Sequence, residues 1–317
     1  MAKRKLSQHQ KARIDKAQQV ANASTTGIQA QVISHHGGKL LIEDEQGQRL
    51  EASIKSNLGA IVSGDFVVVE TDDKFANRVI SVKPRKSLLR RQDGFGHLKY
   101  VAANITQMII CCAVKPVPNL LLLDQYILSA EQQNIESLIV LNKSDLLPPD
   151  SIDPFCLKSI YEPLEYKVLT LSVKSGEGLD TLNQCLKDQQ SLIGGVSGVG
   201  KSSIIQFILP DEDIRIGAIS EANSEGKHTT RTSRLYRLAA GGDLIDTPGV
   251  RGFTPEIDPD IPVSWGFREI SNYAQLCKFA NCRHLNEPAC AVVDAVSSGQ
   301  IASSRYHNYL AFSGLKT

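Results

Sequence analysis

Eight residues, Gly195-Val196-Ser197-Gly198-Val199-Gly200-Lys201-Ser202, match the pattern G-x-x-x-x-G-K-[ST] and constrain the fold more than any other feature of the chain. The pattern needs a strand before it and a helix after it, because the loop works by aiming backbone N–H groups and a helix N-terminus at phosphate. The flanks comply: residues 191–194 form a short apolar run ending in Gly194, and residues 201–209 carry apolar side chains at helical spacing. Lys201 is placed to reach the β- and γ-phosphates and Ser202 to ligate Mg²⁺, with Ser203 beside them in the first turn.

The surrounding texture is α/β. Residues 107–114, 135–141, 167–172, 191–194 and 243–245 read as buried strands, and 120–133, 179–187 and 201–209 as helices, which together predict a doubly wound parallel sheet. Three further strings fall at strand ends. Asp246-Thr247-Pro248-Gly249 lies 45 residues after Lys201, where an Asp can serve the Mg²⁺ shell and the Gly249 amide a γ-phosphate. Asn142-Lys143-Ser144-Asp145 selects the base: the Asp145 carboxylate accepts from guanine N1–H and the 2-amino group, Asn142 bonds N7, and Lys143 lies over the ring. Ser172-Val173-Lys174 fits a loop that meets the base oxygen through a backbone amide.

The order of these strings is unusual. Common GTPases run phosphate loop, switch, Asp-x-x-Gly, then Asn-Lys-x-Asp, whereas here Asn142–Asp145 precedes Gly195 by about 50 residues, so the same sheet is circularly permuted. Between the loop and Asp246 lies Gly226-Lys227-His228-Thr229-Thr230-Arg231, in which one of Thr229 and Thr230 is expected to reach Mg²⁺. Position 250 holds Val where many GTPases carry a water-orienting Gln, which makes His228 the candidate catalytic residue.

Charge is divided along the chain. The net charge is +1, yet residues 1–100 hold 17 of the 35 Lys+Arg and only 10 of the 34 Asp+Glu, so the first third fits a polyanionic partner. Residues 1–26 read as a basic arm without the apolar core of a secretory signal, and the longest apolar run, 108–114, is far below the ~20 residues that span a bilayer. A cytoplasmic protein without membrane contact is expected. Five short alternating runs, 27–34, 39–43, 49–54, 65–70 and 77–82, predict a small barrel, of OB type rather than the SH3 type that serves as an adaptor. The segment 83–91, with five cations in nine residues, reads as an RNA-facing linker.

Seven cysteines, an odd number, argue for reduced thiols. Cys277, Cys282 and Cys290 share a 14-residue window with His284, and three sulfurs and one nitrogen make a closed tetrahedral set for one structural Zn²⁺. Cys111, Cys112, Cys156 and Cys185 read as packing residues.

Taken together, the barrel, Asn142–Asp145, Gly195–Ser203, Gly226–Thr230, Asp246–Gly249 and the Cys277–Cys290 cluster with its Cys282-x-His284-x-x-Glu287-Pro288 phrase resemble the bacterial circularly permuted GTPases of small ribosomal subunit biogenesis, the ribosome small subunit-dependent GTPase A family. The similarity covers nearly the whole chain. It implies that the barrel and the zinc-binding part grip 16S rRNA in the maturing 30S subunit, that the subunit stimulates GTP hydrolysis to GDP, that hydrolysis triggers release, and that His228 is catalytic. Thr106, Gly252 and Ala289 depart from the family pattern at positions that touch neither phosphate nor metal. The expected division is an arm at 1–26, an OB barrel at 27–92, a permuted GTPase domain at 93–262 and a mainly helical zinc-binding domain at 263–317, acting as a monomer. Two other classes compete: an RNA-binding module with incidental hydrolysis, and an ATP-using kinase or repair ATPase, which Asn142-Lys143-x-Asp145 disfavours.

Overall fold

Alternating apolar residues punctuated by turns close the first strands on themselves. The structure, a computed structural model, describes residues 27–36, 38–56, 58–72, 75–92, 98–148, 150–210, 233–247 and 255–315. Strands β1 (Ile28–His36), β2 (Lys39–Asp44), β3 (Arg49–Ile54), β4 (Phe66–Asp72) and β5 (Phe75–Val82) pair in the ring β1-β2-β3-β5-β4-β1. The β3–β5 pairing is parallel, a closure that needs a Greek-key crossover and matches the OB type. Ala30, Val32, Leu40, Ile42, Val67, Val69 and Val79 fill the interior.

The basic segment 83–91 is half strand, not linker. β6 (Leu88–Gln92) pairs antiparallel with β7 (Leu98–Ala103), because Leu89 is fully buried and carries its backbone into the core. Two of its cations serve the fold: Arg85 grips the buried Asp65 with Nε at 2.6 Å and Nη2 at 2.7 Å, and Arg90 pairs with Glu256 at 3.0 Å and Asp258 at 3.3 Å.

The second sheet region begins at β8 (Gln107–Ala113), followed by α1 (Leu120–Gln132), β9 (Glu136–Asn142), the short α2 (Leu157–Tyr161), β10 (Lys167–Thr170), α3 (Leu179–Leu186), β11 (Gln190–Gly194), α4 (Lys201–Ile208), β12 (Arg234–Arg237) and β13 (Asp243–Asp246). Its strand order is β10-β9-β8-β11-β13-β12, parallel except for β12. Every residue of β8 and β11 is buried, as expected of strands covered on both faces. Ile110, Ile139 and Leu192 pack against Leu123, Tyr126 and Ile127 of α1 on one face, while Ile109, Leu138 and Ile193 meet Leu182 of α3 and Ile204 of α4 on the other. The strand that feeds the Gly-rich loop, β11, thus lies between β8, reached about 80 residues earlier, and β13, which follows it. This is the permuted order that the motif sequence implies.

The antiparallel β12 is absent from the sequence reading, and it joins the sheet to the barrel. Ser34 of β1 bridges Arg234, the Arg237 Nε donates to Glu43 Oε1 at 2.7 Å, the Ser63 hydroxyl donates to the Ser233 carbonyl at 2.6 Å, and Gln31 donates to Gln190 at 2.7 Å.

The C-terminal part holds α5 (Arg268–Ala274), α6 (Ala291–Ser297) and α7 (Ser303–Phe312) around Phe267, Ile270, Val292, Ile301 and Leu310, with Leu128 of α1 in the same core. Within the mainly helical part expected over 263–317, Gly299, at φ +75°, follows the end of α6 and separates it from α7. On α7, Arg305 is 1% exposed; it donates to Asp124 on α1 at 2.7 Å, to Glu269 on α5 at 2.7 and 3.1 Å, and to the Gly266 carbonyl at 2.8 Å, and it stacks 4.2 Å from the Phe267 ring centroid. Among the described residues, no helix is long and apolar enough to cross a membrane.

Arg305→Met removes the cation that faces two buried carboxylates, and such an uncompensated charge costs about 3–5 kcal/mol. Urea unfolding followed by the fluorescence of the single tryptophan, Trp265, which adjoins Gly266, is expected to show a lower midpoint.

Candidate functional site

Parallel strands deliver their C-terminal ends to one side of the sheet, and the loops that leave β8, β9, β10, β11 and β13 meet there. The loop after β11 is tight. Gly195 has φ +135°, and a Cβ on it would stand 2.2 Å from the Cys111 carbonyl oxygen; Gly200, at φ +92°, would bring one within 2.3 Å of Asn142 Nδ2. Only glycine fits either position. Gly194 is buried beneath the loop, Val196 is half-buried, Ser197 and Gly198 form an exposed tip, and Val199 turns back into the core. Lys201 opens α4; it is buried, and its ammonium donates to the Gly195 carbonyl at 2.7 Å and to that of Val196. Ser202 is half-buried and Ser203 exposed on the same first turn.

The loop after β9 is tied to this one by side chains. Asn142 Nδ2 donates to the Val199 carbonyl at 2.9 Å while its Oδ1 accepts from the Lys143 amide at 2.7 Å. Lys143, at φ +64°, extends its ammonium to the carbonyls of Lys115 at 2.7 Å and Gly198 at 2.5 Å. Asn142 therefore acts as a brace between loops in addition to the base contact that its motif suggests. The loop after β10 closes on the same place: the buried Ser172 hydroxyl donates to Asp145 Oδ1 at 2.7 Å, and Lys174 stands 3.8 Å from Asp145 Oδ2. Val173 is half-buried between them. Ser144 donates to Glu177 at 2.7 Å.

Asp246 ends β13, which pairs with β11 up to Leu192 opposite Ile245, so the residue stands at the end of the sheet from which the 195–202 loop leaves. The structure thus brings together Asn142, Lys143, Ser144, Asp145, Ser172, Val173, Lys174, the 194–203 segment and Asp246. His228, Thr229, Thr230, Gly249 and Val250 lie outside the described residues.

Two contributors escape the sequence reading. Glu177 fixes Ser144 from outside any motif, and Tyr126, which looks like one more apolar residue of α1, accepts from the Gly195 amide at 3.1 Å. Burial pushes the Tyr126 hydroxyl up to about 12 and does the same to the Cys111 and Cys112 thiols, which are inert packing groups as expected. Cys156, in contrast, is exposed rather than packed.

A second constellation occupies the C-terminal part. The ligand atoms of Cys277, Cys282, His284 and Cys290 all lie within 4.8 Å of one another. Cys277 Sγ and Cys290 Sγ are 3.9 Å apart, and each stands 3.6 Å from His284 Nδ1. A tetrahedron with metal–sulfur bonds of ~2.3 Å and metal–nitrogen bonds of ~2.0 Å has edges of roughly 3.5–3.8 Å, close to the three separations among Cys277, Cys290 and His284, so the cluster could hold a single ion. The turn is set by Glu287, whose carboxylate accepts from the amides of Arg283 and Leu285, both at 2.9 Å, and by Tyr306, whose hydroxyl donates to the His284 carbonyl at 2.6 Å.

Comparison with known proteins agrees with this geometry. The sequence profile of the RsgA GTPase family matches residues 82–256. The small ribosomal subunit biogenesis GTPase RsgA of Saccharophagus degradans is 40% identical over 330 residues, covering 98% of this chain and 96% of that protein. The protein of the same name from Chromohalobacter salexigens is 41% identical, covering 98% and 97%. Among solved structures, YjeQ from Thermotoga maritima superposes with a TM-score of 0.73 at 31% identity, covering 90% of this chain and 97% of that one. YloQ, a circularly permuted GTPase, gives 0.69 at 24% identity over 92% and 95%, a likeness of fold.

On the expectation that Asp145 reads the guanine edge, Asp145→Asn puts a donor where two acceptors are needed, and an unpaired donor costs about 1–3 kcal/mol. In competition binding, the variant is expected to lose most of its preference for GTP over ATP; an unchanged preference removes Asp145 from base selection.

Proposed function

The chain belongs to the RsgA GTPase family, and on that premise we propose that it is a 30S assembly factor that binds 16S rRNA in the maturing subunit, hydrolyses GTP there and is released by that hydrolysis. It is a GTPase, a hydrolase acting on GTP. The relatives' names supply small-subunit biogenesis; the observation that best supports the nucleotide chemistry is the bond from Asn142 to Val199, which ties the phosphate loop to a base loop that the Ser172–Asp145 bond in turn holds to the second one.

In this reading Asp145 selects guanine, backed by the 172–174 loop, and the 195–202 loop with Lys201 takes the phosphates. Mg²⁺ bound with GTP supplies charge neutralisation at the β- and γ-phosphates, and the hard oxygens of Ser202, Asp246 and one of Thr229 and Thr230 would hold it. Val250 offers water no hydrogen bond, so His228 is assigned to orient or accept a proton from the attacking water. The RNA-facing charge is assigned to the barrel and the basic N-terminal residues. Lys55, Arg78 and Lys86 are exposed there, whereas Arg85 and Arg90 are engaged within the fold. The protein is read as a cytoplasmic monomer.

The ion of the Cys277–Cys282–His284–Cys290 set is assigned as Zn²⁺, one per chain. Three thiolates and an imidazole leave no open position, so its task is structural. Cys282→Ser is expected to release zinc by elemental analysis and to loosen the C-terminal part while GDP binding persists. One zinc retained per chain in that variant contradicts the ligand set.

His228→Ala is the test of the catalytic assignment. GTP affinity is expected to stay within about twofold, while turnover in the presence of 30S subunits falls by ~10²–10⁴, the usual scale for a lost base or positioning group. The variant is expected to accumulate on 30S particles in its GTP form in sedimentation assays. Stimulated turnover at the native rate would instead assign water activation to another group.

A further inference from the structure

We propose that Tyr126 is a positioning residue for nucleotide binding, its hydroxyl fixing the first amide of the 195–202 loop from a helix that lies outside every nucleotide motif. The inference rests on the reading of that loop as the phosphate-binding one. The geometry is specific. The Gly195 N–H donates to Tyr126 Oη at 3.1 Å in a buried setting, and the ring lies so close under the preceding residue that a Cβ on Gly194 would stand 2.5 Å from Tyr126 Cε1.

Two consequences follow from elementary hydrogen-bond chemistry. The first amide of the loop is committed to the protein and is not a donor to phosphate. With the hydroxyl removed, that buried N–H has no acceptor in place, and the backbone at Gly195 must turn to find one, carrying with it the carbonyl that receives the Lys201 ammonium at 2.7 Å. A change at one phenolic oxygen thereby reaches the cation that faces the phosphates. The phenol is protonated throughout the neutral range, because burial holds it at about 12.

A positioning group needs a rigid base, and α1 provides one. Two residues before Tyr126, Asp124 is fully buried and accepts from Arg305 at 2.7 Å, from the Tyr161 hydroxyl at 2.7 Å and from Asn308 at 2.6 Å. Asn119 caps the N-terminus of the helix by accepting from the Leu122 amide at 3.1 Å. The loop is therefore referenced to a helix anchored by α7.

Tyr161 supplies the control. It too is a fully buried tyrosine whose hydroxyl bonds in this neighbourhood, but its bond ends on Asp124 and not on the loop. The experiment measures fluorescent GDP and GTP affinity, nucleotide dissociation by stopped flow, and turnover at saturating GTP for the full chain and for Tyr126→Phe, Tyr161→Phe and Lys201→Ala. Tyr126→Phe is expected to weaken GDP and GTP by about 3- to 10-fold through faster dissociation, with a fall in turnover at saturation smaller than the loss of affinity. Tyr161→Phe is expected to lower thermal stability while leaving both affinities within about twofold. Native affinity and dissociation in Tyr126→Phe overturn the proposal, as does an equal loss in Tyr161→Phe, which would make the effect one of helix stability. Native GDP affinity in Lys201→Ala would remove the underlying phosphate-loop reading instead.

Discussion

The Asn142 side chain is the interaction on which the nucleotide site depends. Its Nδ2 reaches the Val199 carbonyl and its Oδ1 the Lys143 amide, so a single planar group sets the distance between the loop after β9 and the loop after β11. The approach is so close that the facing residue, Gly200, has room for no side chain. These loops belong to strands separated in the chain by α2, β10 and α3, and backbone continuity does not hold them together. Side-chain bonds do: Asn142 to the phosphate side, Lys143 to Gly198, and Ser172 to Asp145 on the base side.

The same logic explains how the outlying parts are attached. The barrel meets the sheet through β12, the strand that runs antiparallel against β13 and therefore against the element ending in Asp246. Arg237 on β12 holds Glu43 of the barrel at 2.7 Å and Asp243 at 2.8 Å; these carboxylates raise its affinity for protons, and the guanidinium in turn keeps Glu43 ionised below its ordinary range. The C-terminal helices meet α1 through Arg305, whose two carboxylate partners come from different helices. Burying such a network is costly unless every group is satisfied, and what it contributes here is a fixed geometry between α1 and α7.

What was legible in the sequence was local. The loop glycines, Asn142–Asp145 and the cysteine spacing each follow from chemistry within a few residues, and the apolar runs of β8 and β11 announce strands covered on both faces. The barrel strands were legible for the same reason, since turn residues and period-two alternation lie side by side. Features that depend on distant partners were not. Arg234–Arg237 is four residues long with an arginine at each end; Arg237 answers Glu43 and Asp243, distant partners that no local pattern announces, while Leu235 enters the core. The 88–92 strand was hidden by the cations in and before it, of which Arg85 is paired with Asp65 and Arg90 with Glu256 and Asp258. Tyr126, Glu177 and Arg305 are ordinary residues of their helices and loops until the fold sets a hydrogen-bond partner in front of each.

The proposed function requires a nucleotide site that hydrolyses GTP in response to the small ribosomal subunit. Turnover of the native chain, measured as phosphate release with GTP alone, with GTP and purified 30S subunits, and with GTP and 50S subunits, tests it directly. Slow release alone, at least tenfold faster release with 30S and no acceleration with 50S is the expected result. A rate that 30S leaves unchanged would contradict the account and leave the chain a GTPase whose RNA contacts, if any, do not govern its chemistry.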